Sequence, residues 1–155
     1  NNYKIVKVKE IDWCFCILNK SKFKNRKILD ENFFLYFETI DLCRKLFINK
    51  KNMYVVKNLK FDHLGTSSSH EKYKFEIQMN RNWHFSWSKF YFFKKNYNYL
   101  FALKKILPNI FQSLIGIILC TIIFNYKDTK LHFSSLKGFL SSILLMKSYF
   151  RLNLD

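Results

Sequence analysis

Glu38 and Asp41 stand three residues apart behind a run of aromatic bulk, in FFLYFETIDLCRKL. On a helix that spacing places both carboxylates on one side. A helix starting near Glu38 would put them in its first turn, where free backbone N–H groups and the dipole favour negative charge. An aromatic wall ahead of a carboxylate lowers its local solvation, which suits a general base taking a proton from a hydroxyl. The same acids also read as ordinary surface charges, with Asp41 paired to Arg44 or Lys45.

Several elements must position this pair. IVKVKEI alternates like a half-buried strand, and DWCFCIL reads as a continuously apolar central strand. From Glu38 to Asn49, Ile40, Cys43 and Phe47 recur at helical spacing, reinforced by Leu42 and Leu46. MYVV predicts a short strand, residues 59–63 another, and HLGTSSSH a polar loop. Residues 71–97 predict one long helix or two in tandem. Pro108 is expected to separate a helix over 99–107 from an apolar one over 110–124. That apolar segment would be about 22 Å long, short of a roughly 30 Å hydrocarbon core, and reads as buried or interfacial rather than spanning. Residues 131–149 predict a last helix carrying Lys137 and Lys147.

The chain has 155 residues, a formal charge of +16 and 19% aromatic residues, which excludes a disordered or collagen-like class. The charge favours an acidic partner. The lysines are spread along the chain and no helix-turn-helix, zinc-finger or RNA-recognition signature is present, so no nucleic-acid partner is expected. Cys14, Cys16, Cys43 and Cys120 show no metal-site spacing and read as buried free thiols of a reducing compartment.

LDENFFLYFETIDLCRKL, then KNMYVVKNL, then DHLGTSSS, resembles the pattern of glycosyltransferase family 2, most closely its rhamnosyltransferase-like members. EIDWCFCILNKSKF looks like the acceptor-side strand before that motif, and NRNWHFSWSKFYFFKK like the aromatic, basic helix after it. The resemblance covers roughly residues 9–95. It implies an α/β fold: the C-terminal portion of a GT-A (Rossmann-like) mixed-sheet domain over 1–70, then a helical tail over 71–155. It implies Glu38 and Asp41 as catalytic base candidates, His63 as a ligand of a divalent metal (Mg or Mn), and Asp12 and Trp13 beside the acceptor. Gly65, Ser67 and Arg81 would lie near the donor diphosphate.

The implied reaction is inverting transfer from a nucleotide-sugar donor to a glycan or lipid-linked acceptor in cell-envelope polysaccharide synthesis. Thr39 stands where many members carry a second acid, and no Asp-x-Asp occurs. The chain is therefore expected to be a fragment without its nucleotide-binding half, inactive alone. The apolar, lysine-bearing helices would rest on the anionic inner face of the cytoplasmic membrane. The alternative is a non-catalytic, basic, membrane-associated binding or scaffold protein.

Overall fold

The computed structural model describes residues 3–11, 15–23, 28–62 and 71–151. The chain divides into two compact units. One comprises 1–31 and 38–68; the other comprises 32–37 and 69–155.

In the first unit, strand β1 (Ile5–Val8) pairs antiparallel with β2 (Met53–Val56), Ile5 opposite Val56 and Val8 opposite Met53. Helix α1 (Glu38–Ile48) precedes β2 and buries Asp41, Leu42 and Cys43. It ends in a Schellman turn. Lys51 N–H donates to the Leu46 carbonyl, Lys50 N–H to that of Phe47, and Lys50 takes a left-handed φ of 52°.

The second unit holds α2 (Lys74–Asn96), α3 (Tyr99–Ile122) and α4 (Tyr126–Ile143). Asparagines set the breaks. The Asn98 side chain accepts the Phe101 N–H at 2.8 Å, and that of Asn125 accepts the Asp128 N–H at 3.3 Å, each capping an N-terminus. Phe124 and Leu145 close α3 and α4 with the same left-handed turn that Lys50 gives α1. The core takes Phe90 from α2, Ala102 and Ile106 from α3 and Phe139 from α4. Burying each large side chain contributes about 2 kcal/mol.

Small residues let α4 approach α2 closely. Ser134 Oγ donates to the Met79 carbonyl at 2.7 Å, and a Cβ on Gly138 would collide with the Trp83 carbonyl oxygen. Residues Asn32–Phe37 cross the aromatic face of α2. Phe33 packs edge-on to Tyr91, Phe37 meets Phe85 and Phe92, and Ser88 Oγ donates to the Leu35 carbonyl at 2.8 Å.

These elements correct the expected α/β fold. Helix makes up 61% of the described residues, and their sheet is a single antiparallel pair, not the mixed sheet of a GT-A domain. Two four-residue strands that pair with each other leave no parallel crossover to build such a sheet. The central strand expected over DWCFCIL is absent at its described residues, where Phe15, Cys16 and Ile17 are exposed and outside any ladder; 12–14 lie outside the described residues. No strand forms over 59–62 either. Pro108 does not divide a helix. It sits inside α3, where packing on α2 and α4 outweighs the one hydrogen bond that its missing N–H removes. The last helix starts at Tyr126 and ends at Ile143, not 131–149, because Asn125 caps it and the turn at Leu145 stops it. Cys43 is buried as a free thiol, but Cys16 is exposed. Although the residue is exposed, partial desolvation of the Cys16 thiol pushes it above its ordinary range, and the nearby Cys43 adds to this.

Candidate membrane-facing surface

Helix α1 brings Glu38 and Asp41 into one first turn. Asp41 is buried, and the Oε2 atom of Glu38 is buried with no hydrogen-bond partner among the described residues. Phe33, Phe34, Tyr36 and Phe37 point their rings at Tyr91, His84, Phe85 and Phe92 of α2. Arg81 lies on α2, in the helical unit. Asp12, Trp13, His63, Gly65 and Ser67 lie outside the described residues. Among the described residues no three His, Cys, Asp or Glu side chains gather as a metal site.

A larger feature lies on α3. Its 24 residues extend roughly 36 Å at 1.5 Å per residue. Its inner face, through Ala102, Ile106 and Ser113, is buried on its neighbours. Its outer face carries Leu100, Leu107, Phe111, Ile115, Ile118 and Ile122 at steps of three, four and seven, all exposed, from 50% at Leu107 to 76% at Leu100. Only 11% of the most apolar 18-residue window of the helix is buried. A core helix of a water-soluble fold would be mostly covered, and a contiguous exposed stripe of this size marks a contact surface.

The charges border that stripe. Residues 107–124 contain no charged side chain, whereas Lys104 and Lys105 precede them and Lys127 and Lys130 follow. Tyr99 and Tyr126 stand at the two ends of the stretch, both exposed. The exposed residues of α4 mix charged with apolar side chains: Tyr126, Lys127, Asp128, Lys130, Phe133, Lys137 and Leu140, with Leu144 just beyond. The Lys137 ammonium lies 4.9 Å from the Phe133 ring centroid. Long lysine stems can cover apolar surface while their ammonium groups reach a polar layer. On the inner side, Lys89 Nζ donates to Asn109 Oδ1 at 2.8 Å, and burial pushes the Lys89 amine below its ordinary range.

Two things escaped sequence reasoning. The apolar stretch after Pro108 looked too short because Pro108 was given the role of a boundary. The exposure of its outer face depends on how α2 and α4 flank α3, which periodicity alone does not state. His84 is fully buried, with both ring nitrogens hydrogen-bonded. Comparison with known proteins finds no matching family, no matching curated protein and no matching solved structure.

Proposed function

We propose that this chain is a non-catalytic, basic binding or scaffold protein that lies on an anionic membrane, at the inner face of the cytoplasmic membrane. The outer face of α3 carries this reading: an exposed apolar stripe bordered by lysines at both ends. With its axis in the membrane plane, α3 would bury that stripe at the headgroup–acyl boundary. Lys104, Lys105, Lys127, Lys130 and Lys137 would then meet anionic headgroups, each contributing about 1 kcal/mol near the surface. The net charge of +16 matches the sign of that partner.

Flotation with phosphatidylcholine vesicles, with and without phosphatidylglycerol, tests this. Binding is expected to be more than about a thousandfold tighter with the anionic lipid at low salt. High salt should weaken it without abolishing it, because the apolar contact is not screened. A protein that stays at the bottom of the gradient with both vesicles, and sediments as a dimer, would show that a second copy covers the stripe instead.

One observation favours a second reading, sugar transfer with Glu38 as base. Its Oε2 atom is buried and unpartnered one helical turn from the buried Asp41. That reading does not carry a GT-A fold. In the longest protein the gene encodes, Glu38→Gln and Asp41→Asn should each reduce transfer from a nucleotide-sugar by about a hundredfold. Near-normal rates in both folded variants would remove it.

A further inference from the structure

Beyond α4 the chain turns at Leu145, whose φ is 59°, and residues 144–151 fold back onto α2. Trp87 Nε1–H donates to the Met146 carbonyl at 3.0 Å. The Tyr149 and Phe150 rings pack on Trp83, with centroids 5.2 and 5.6 Å away. Arg151 lies 3.6 Å over the Phe34 ring. At the centre is His84, 0% exposed. Its Nε2 lies 2.8 Å from the Phe150 carbonyl oxygen and its Nδ1 lies 3.1 Å from Ser148 Oγ.

These partners fix the ring's state. A carbonyl can only accept, so Nε2 carries the proton; Nδ1 is then an acceptor, and the Ser148 hydroxyl donates to it. The neutral ring is fully satisfied. A second proton would sit on Nδ1, force the Ser148 hydroxyl to reverse, and place an imidazolium in a fully buried site. The Phe150 carbonyl also accepts Arg151 NH1 at 2.7 Å. Protonated His84 would therefore put two cations on one carbonyl oxygen. The other groups packed against His84 are the uncharged rings of Phe34, from residues 32–37, and of Trp83 on α2.

We infer that residues 144–151 are an acid-released strap, clamped to α2 by neutral His84. Burial lowers the His84 pKa below its ordinary value of 6.5; the Phe150 carbonyl partly opposes this, and Arg151 adds a smaller lowering. The released strap exposes the ring and returns it towards that ordinary value, so the released state takes the proton first. The clamp is thus complete above about pH 6.5 and weakens as pH falls below it towards the lowered pKa. The device does not depend on the membrane reading.

Amide hydrogen exchange without lipid, corrected for intrinsic rates, tests it between about pH 7.5 and about pH 5. Protection of residues 144–151 is expected to fall about tenfold at the lower pH while that of α3 stays constant. His84→Gln, whose side-chain amide can still donate to the Phe150 carbonyl, should show no such pH dependence. Equal protection of the native strap at both pH values would overturn the clamp, as would the same acid loss in His84→Gln. If that variant fails to fold, Arg151→Gln decides. Removing the second cation should shrink the acid loss, and an unchanged loss would overturn the proposal.

Discussion

The double substitution Ile115→Asp, Ile118→Asp is expected to abolish vesicle binding while leaving the helical unit folded. Both side chains sit on the outer face of α3, exposed, one helical turn apart. Each isoleucine removed from an apolar phase forfeits about 2 kcal/mol. An aspartate put in its place must also be kept out of that phase and is repelled by anionic headgroups. Together the loss is about 4 kcal/mol or more, on the order of a thousandfold in affinity. Because neither side chain is part of the core, the thermal midpoint should move little. Replacing Lys104 and Lys105 with glutamine should instead reduce only the preference for anionic lipid. Undiminished flotation of the double aspartate variant would remove α3 as the membrane contact.

Gly138→Leu is expected to give a large stability loss in the helical unit, because the glycine is buried between α4 and α2. The Cβ it introduces meets the backbone carbonyl of Trp83, and backbone cannot turn aside as a side chain can. Accommodating leucine means separating α4 from α2. That would stretch the Ser134–Met79 hydrogen bond and open the packing around Phe139. Overpacking of this kind costs about 3 kcal/mol or more, a fall of roughly 15 °C in Tm for a unit of this size. Gly116→Ala is the informative control. Its new Cβ would lie 2.5 Å from the His132 ring, but that ring is the end of a rotatable side chain. Its loss should stay below about 1 kcal/mol. Equal losses from the two variants in thermal unfolding would mean that the α2–α4 approach is not the constraint described.

The sequence was most legible where period and punctuation agreed. Helix α1 runs Glu38–Ile48 against an expected end at Asn49, and MYVV is β2 residue for residue. In α1 helical spacing and polar stops agree, and in β2 aromatic and β-branched residues are bounded by polar turns on both sides. It was least legible where an apolar run had no period. DWCFCIL carries the composition of a buried strand, yet Cys16 and Ile17 are exposed, since composition alone does not supply a pairing partner. Pro108 misled for a related reason: a local cost of one hydrogen bond is smaller than the packing lost by breaking α3. The aromatic run shows how far neighbours in sequence can separate in role. Phe33 to Phe37 lead directly into Glu38, yet their rings serve α2, which begins thirty-seven residues after Phe37. Of the proposed catalytic set, the Glu38–Asp41 pairing could be read from spacing; the burial of Glu38 Oε2 could not.

The crossing of Asn32–Phe37 over α2 bears on modularity. The helical unit is discontinuous in the chain: six of its residues are interposed within the stretch that otherwise builds the sheet-bearing unit. Cutting at residue 68 would thus not excise a self-sufficient helical piece. A polypeptide beginning at residue 69 would leave Tyr91, Phe85 and Phe92 uncovered and Ser88 without the Leu35 carbonyl. Joining NFFLYF ahead of residue 71 through a flexible connector would restore that cover. The helical unit is therefore not an independent cassette: a single break in the gene at residue 68 leaves six of its residues behind.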